Sequence, residues 1–202
     1  MIQIGLVGAC DSVPRLRRAF EFLLHPIDAD PVLYLGPEDA FDRAVREMPG
    51  ARVASEEMFL RAAAAVALRG TAPEIEGLLA AEAQASKLAR IRSLPPPPAL
   101  AVEMLGDRIV LLVHDKAVLM EDDIANAAVI AHEADRGGHR RIGARHFVSP
   151  GRLESDDGLV GILRVDGAGQ SSFVLSHLDG RVELDAPLRF GSASRMIVSG
   201  TA

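Results

Sequence analysis

The sequence predicts an α/β sandwich built from mixed sheets, and three observations support this fold class. Residues 1–50 alternate short apolar runs with segments of helical periodicity, whereas residues 99–185 consist of apolar runs separated by turn signals. Aromatic residues make up only 4% of the chain and Trp is absent, so the core is expected to be aliphatic and rich in Ala. A β-α-β-α start followed by strands and hairpins is typical of sheets covered by helices.

The first 50 residues predict two strand–helix units. The apolar run 2–7 predicts a buried strand, and the apolar positions of residues 13–24 recur at helical spacing. Residues 31–35 form a second short apolar run. A helix is then expected over 38–48, because acidic residues suit its first turn and Pro49-Gly50 ends it.

Residues 55–92 differ in composition and predict a helical insertion. They are rich in Ala, Glu and Arg, and Gly70 to Pro73 divides them into two helices. The proline run 95–98 is stiff, cannot donate backbone hydrogen bonds and closes the insertion as a connector. A long helix pair added to a compact fold needs a cover for its apolar side. The insertion is therefore a candidate contact surface, and packing against the chain's own sheet is the alternative.

The remainder of the chain predicts mainly strands. Gly106-Asp107-Arg108 separates two apolar runs and indicates a hairpin. The predicted strands are 100–105, 109–113, 127–131, 146–148, 158–165, 172–178 and 181–184, the last three as an antiparallel meander. Residues 1–188 are expected to form a single domain, with 189–202 as a mobile tail.

Composition and charge exclude several classes of function. The formal net charge of −6 leaves no overall basic character with which to neutralise phosphates, so a nucleic-acid partner is not expected. The single Cys10 excludes an intrachain disulfide and a cysteine-rich zinc site. No run approaches the roughly 18 apolar residues that span a bilayer, and no basic region precedes the first apolar run. These observations predict a cytoplasmic protein without a membrane partner.

The order of certain motifs points to a family. Residues 4–7 and 32–36 are strands with glycines near their ends, Leu111–His114 is a strand ending in an isolated His, and Val129–His132 is another. Residues 147–153 form a late strand and Ser-Pro-Gly turn. In this order and spacing the chain resembles the calcineurin-like metallophosphoesterases, especially their small bacterial phosphodiesterase branch. The resemblance covers about residues 1–50 and 99–185 and implies the same α/β sandwich.

Most of the metal ligands that the resemblance implies are missing. The family holds two divalent metals, which generate a hydroxide and stabilise the phosphate in the transition state. Here Ala9 stands at the first metal-binding Asp, Pro37 at the bridging Asp and Ala134 at the second His of a paired motif. Asp11 stands at the His of the first motif, and the Gly-Asn turn of the family has no counterpart. Of the family's imidazole ligands, only His114 and His132 keep their places.

Two functional hypotheses remain open from the sequence. The first is a degenerate, catalytically inactive member without a cofactor that acts as a binding, scaffold or regulatory module. It would contact a protein partner or another copy of itself through residues 55–92. A retromer subunit with this fold, which acts mainly as a scaffold, is a precedent within the family.

The alternative is a phosphodiesterase or phosphatase with a rebuilt site. Asp11, Asp39, His114 and His132 would then hold one Mn, Fe or Zn ion, because three or four N and O ligands suffice for a divalent ion. The structural interpretation of the same residues is that both His side chains are hydrogen-bonded at strand ends and that Asp11 caps the helix beside Ser12.

Overall fold

The computed structural model describes residues 1–48, 56–153 and 158–190. Its α-helices in these ranges are α1 (Val13–Leu24), α2 (Glu38–Arg46), α3 (Glu56–Arg69), α4 (Ala72–Leu88) and α5 (Glu121–Asn126), and a 3-10 helix spans Lys116–Val118. The strands are β1 (Ile2–Val7), β2 (Val32–Tyr34), β3 (Ile91–Ser93), β4 (Ala101–Leu105), β5 (Arg108–Val113), β6 (Val129–His132), β7 (Gly138–Ile142), β8 (Arg145–Ser149), β9 (Leu159–Val165), β10 (Ser171–His177) and β11 (Val182–Leu188).

The strands form two mixed sheets. The first sheet has the order β11-β10-β9-β1-β2-β3, in which β1, β2 and β3 are parallel and the meander β9 to β11 is antiparallel. The second has the order β4-β5-β6-β8-β7, in which β5, β6 and β8 are parallel and the two outer strands are antiparallel. This architecture confirms the predicted α/β sandwich of mixed sheets.

The central core lies between the two sheets, and a second core lies under the first two helices. Ile4, Leu6 and Leu33 of the first sheet pack against residues of the second sheet that include Val110, Leu112 and Val129. On the opposite face of the first sheet, the apolar positions of α1 and α2 pack on Val7, Val32 and Tyr34. The apolar positions that recur at helical spacing in residues 13–24 therefore form the buried face of α1.

The helical insertion forms as two helices with a break at Gly70 and Thr71, within the predicted interval. The Glu74 carboxylate accepts hydrogen bonds from the Thr71 backbone N–H at 2.7 Å and from its hydroxyl at 2.9 Å, which satisfies the start of α4. Among the described side chains of α3 and α4, only Leu88 is buried, and it joins the core under α1.

Two strands and two short helices, one of them the 3-10 helix Lys116–Val118, are not predicted from the sequence. The strand β3 falls at the end of the predicted insertion, and it has no apolar run because Arg92 lies between Ile91 and Ser93. The strand β7 is the outer strand of its sheet, so its residues are largely exposed and lack apolar alternation. The helix α5 is too short for a helical period.

The described structure continues two residues past the predicted domain boundary at 188. The His146 ring lies 3.2 Å from the Arg189 carbonyl oxygen, and the Phe190 ring packs edge-to-face on His146 and under the Arg108 guanidinium. The rest of the predicted tail, 191–202, lies outside the described residues, as does the predicted helix stop Pro49-Gly50. Among the described helices, none combines the length and apolar character that a bilayer span requires.

Candidate functional site

The loops that follow β1 and β8 close one another at the carboxyl edge of the sheets. Ala9 is 2% exposed, and its carbonyl oxygen accepts a hydrogen bond from the Leu153 N–H at 3.0 Å. A methyl group at Gly8 would overlap the carbonyl oxygen of Gly151, which itself has a φ of +76°. Backbone therefore occupies the space beside the position where the resemblance implies the first metal-binding Asp.

Tyr34 fills the space beneath the β1 loop. Its hydroxyl accepts a hydrogen bond from the Cys10 N–H and donates one to the Cys10 carbonyl, both at 3.3 Å. Burial raises the pKa of Tyr34 to about 12. A methyl group at Gly36 would lie 2.6 Å from the Ala9 Cα, so only glycine fits where the two loops meet. We refer to this packed region, formed by residues 8–10, Tyr34, Gly36 and Gly151, as the strand-end centre.

His114 follows β5 and joins three segments of the chain. Its Nδ1 lies 2.7 Å from the Leu35 carbonyl oxygen, and its Nε2 lies 3.1 Å from that of Pro95. Its own carbonyl accepts a hydrogen bond from the Glu133 N–H at 3.2 Å. A metal-binding imidazole needs a nitrogen lone pair directed at the ion, and both nitrogens here face carbonyl acceptors.

The His132 side chain lies on the face of the second sheet that points away from the first sheet. Its Nδ1 is 2.8 Å from the Glu133 carbonyl oxygen, and its ring contacts Phe147 on the face turned away from the central core. Desolvation by burial lowers the pKa of His132. The structure therefore does not bring His132 together with His114, which contacts the carboxyl end of the first sheet.

Glu133 is the acidic residue near this edge that the sequence analysis missed. Its carboxylate lies 3.9 Å from the Arg152 guanidinium, and burial raises its pKa while the charges of Arg152 and His114 act in the opposite direction. Together with Asp11, its charge also contributes to the raised pKa of Tyr34. The alternation of side chains along a strand is the sequence signal for Glu133. If His132 points away from the central core, the next residue along the chain points towards the strand-end centre.

The two predicted aspartates are exposed. Asp11 lies in the bend before α1, and Asp39 lies in the first turn of α2, where its backbone carbonyl accepts a hydrogen bond from Arg43. In the described parts of the chain, no three His, Cys, Asp or Glu side chains are grouped as a metal ion would require.

The donors present do not fit the two-metal centre that the resemblance implies. Ala9 and Ala134 have methyl side chains, and Pro37 has a hydrocarbon ring, so none of the three offers a ligand atom. The single-ion site at Asp11, Asp39, His114 and His132 stays a prediction.

This chain is similar to known proteins in its structure. No protein-family model and no curated protein sequence matches the chain. The structure of Yfce, a phosphoesterase from E. coli, superposes with a TM-score of 0.53 at 12% identity, covering 93% of this chain and 100% of that one. Vps29 from Chaetomium thermophilum superposes with a TM-score of 0.51 at 11% identity, covering 95% and 100%. The chain therefore has the metallophosphoesterase fold that its motif order predicts.

Proposed function

We propose that this protein is a non-hydrolytic binding module on a metallophosphoesterase fold, and that it binds a second copy of itself through α3 and α4. The observation that carries the first part is the strand-end centre. Ala9 of this centre and Pro37 next to it stand at two implied ligand positions without a side-chain ligand atom, and backbone packs closely at Gly8 and Gly36.

Phosphoester hydrolysis in this fold depends on cations that both create a nucleophile and stabilise the transition state. A bridging carboxylate compensates the repulsion between two adjacent cations, and the hydrocarbon side chain of Pro37 has no oxygen with which to do so. A catalytic metal also needs an open coordination position for water. Ala9 is buried, and backbone packs closely on both sides of its loop, at Gly8 against Gly151 and at Gly36 against the Ala9 Cα, which argues against an open position here.

Glu133, an acid at this edge, lies beside a cation of the chain itself. Arg152 lies 3.9 Å from Glu133, so the guanidinium compensates part of the carboxylate's charge. His114 acts as a hydrogen-bonding link between the loop after β2 and the proline connector. These contacts favour a structural role for both residues.

Hydrolysis of bis(p-nitrophenyl) phosphate in the presence of Mn²⁺ tests the first part. We expect no turnover above that of His114→Ala, measured on protein shown to be folded by circular dichroism. This variant is expected to lose about 1–3 kcal/mol of stability, because the hydrogen bond that the His114 ring donates to a carbonyl of Leu35 or Pro95 is lost. Turnover that is present in the natural chain and abolished in His114→Ala would contradict the proposal. It would favour the rebuilt single-metal phosphoesterase.

The second part rests on two rows of apolar side chains on the helical hairpin. On α3 the row is Leu60, Ala64 and Leu68, and on α4 it is Ile75, Leu79 and Ala83, all exposed and four residues apart. Leu68 is 82% exposed and Leu79 is 61% exposed. Neither row contains a charged residue, and isolated helices of this length are marginal in water without tertiary packing.

A second copy is the occupant that fits these rows. Ridges of residues four apart pack into the same ridges of another helix, which is the commonest class of helix contact. Two hairpins would form a four-helix arrangement, and symmetric dimers are the commonest soluble oligomers. A strongly charged partner would find no complementary charge within the rows.

Light scattering after size-exclusion chromatography tests the second part. The full chain is expected to be a dimer, and the double variant Leu68→Glu with Leu79→Glu is expected to be a folded monomer, since both side chains are exposed within one chain. Val182→Glu is the matched control, because Val182 is 56% exposed on β11. A monomeric natural chain, or a dimer that survives the double variant, would contradict self-association.

A further inference from the structure

A basic groove lies on the second sheet, apart from the strand-end centre and from the hairpin. It has a volume of about 340 Å³ and lies where the 3-10 helix, β6, β7 and β8 meet. The residues that define it are Lys116, His132, Arg136, Arg140, Ile142 and Phe147.

Strand register places this groove on the face turned away from the central core. Arg140 pairs with Phe147, and Gly138 pairs with Ser149, so these four residues share one face of the β7–β8 ladder. Val148, between them, points into the central core. The groove therefore opens on the side of the sheet opposite to the first sheet.

The charge of the groove is one-sided. Lys116, Arg136 and Arg140 contribute three cations, and no Asp or Glu lines it. Within the described ranges none of these three side chains makes an ion pair. The chain as a whole has a net charge of −6, so this concentration of unpaired cations runs against the composition. Like charges gathered in one concavity raise the local concentration of anions.

Two acids that neighbour groove residues in the sequence have other partners. The Asp115 carboxylate accepts a hydrogen bond from the Ala117 N–H at 2.8 Å and begins the 3-10 helix. Glu133 lies beside Arg152 near the strand-end centre. The groove cations are thus left for an anion from outside the chain.

The groove also has an apolar part and a hydrogen-bond acceptor. The half-buried Phe147 ring contacts His132, and Ile142 is exposed beside it. Because the Glu133 carbonyl only accepts, the His132 Nδ1 at 2.8 Å must carry the proton, and in the neutral ring Nε2 is then an acceptor.

We infer that this groove binds a small organic dicarboxylate with an apolar or aromatic body. The two guanidinium groups suit carboxylates because each presents paired N–H donors, and Lys116 adds a point charge. The body of the ligand would lie against Phe147 and Ile142. This inference does not depend on the proposed function, since the residues concerned belong neither to the hairpin nor to the strand-end centre.

Isothermal titration calorimetry with isophthalate tests the inference on the full chain. Isophthalate carries two carboxylates on a benzene ring, and benzyl alcohol is its uncharged comparison. We expect isophthalate to bind, benzyl alcohol not to bind, and Arg136→Gln or Arg140→Gln each to weaken binding about tenfold, as the loss of one charge-assisted contact does. Arg18→Gln, which removes an exposed cation from α1, is the matched control and is expected to leave binding unchanged.

A second variant fills the groove without touching its charges. A side chain added at Gly138 meets open space, and this glycine does not have a positive φ. Gly138→Leu is therefore expected to fold normally and to abolish isophthalate binding.

Absence of isophthalate binding would overturn the inference, as would binding that persists in the Arg136→Gln and Arg140→Gln double variant. Equal affinity for inorganic phosphate would also overturn it and would assign a bare anion site. A higher affinity for the peptide acetyl-Glu-Phe-Glu-amide than for isophthalate would overturn the assignment to a free dicarboxylate and transfer the groove to a protein partner.

Discussion

The strand-end centre and the α3–α4 hairpin use small residues in opposite ways. At the centre, Gly8 and Gly36 let backbone segments approach so closely that a methyl group at either position would overlap a neighbour, and Ala9 between them is buried. On the hairpin, Ala64 and Ala83 lie in rows that are exposed within the part of the chain that the structure describes. Small side chains thus have two different effects. Between backbone segments they allow close packing, whereas on one face of a helix they leave a shallow, exposed surface.

The same substitution at two glycines tests this difference most directly. Gly8→Ala is expected to lower the free energy of unfolding by about 3 kcal/mol, because the added methyl meets the Gly151 carbonyl and neither backbone can move without its sheet. Urea unfolding followed by circular dichroism measures the change. A loss below about 0.5 kcal/mol, the usual size of a surface effect, would show that the centre is not tightly closed.

Tyr34→Phe sharpens the description of the strand-end centre. The loss of the hydroxyl leaves the buried Cys10 N–H and carbonyl without this partner, so stability is expected to fall by about 1–3 kcal/mol. Urea unfolding of the variant beside the natural chain provides the measurement. An unchanged stability would mean that water or another group satisfies Cys10.

The raised pKa of Tyr34 predicts that the folded protein loses stability at alkaline pH. Tyr34 is the only Tyr and the chain has no Trp, so its phenolate absorbance can be followed without interference. The folded-state pKa of about 12 lies above the ordinary value of 10.0, so between these values the unfolded state releases a proton that the folded state keeps. Stability from this group is therefore complete below pH 10 and is lost as the pH rises. A folded-state titration with its midpoint near 10 would contradict the burial of the hydroxyl.

Gly77→Ala is the matched change on the hairpin and has the smallest expected effect. Gly77 lies within α4, and a methyl group there meets no atom within 4 Å. Alanine is expected to stabilise the chain by about 0.5–1 kcal/mol, because it restricts the unfolded backbone and favours the helix. Urea unfolding provides the measurement. A destabilisation would indicate that α4 packs on something at this position, such as a second copy.

Elements with their own periodicity were predictable from the sequence. The helix α1 and the strands β1 and β9 bury regular apolar positions, and turns at Gly106 and Gly180 mark hairpins by residue type alone. The strand β7 was not predictable, because an outer strand on an exposed face carries residues such as Arg140 and Arg141 without an apolar pattern. Its place in the sheet depends on pairing with β8, which is a long-range property.

The amino-acid sequence predicts the strands and helices that carry their own apolar periodicity, and it shows that Ala9, Pro37 and Ala134 have no side-chain ligand atom, because side-chain chemistry and local periodicity are properties of the chain. Which side chains face the strand-end centre depends on how the two sheets and their loops come together. The tertiary structure directs His132 to the opposite face, encloses His114 between two carbonyls and brings Glu133 and Arg152 together. The physical reason is that side-chain direction alternates along a strand, while the neighbours of each face come from residues distant in sequence.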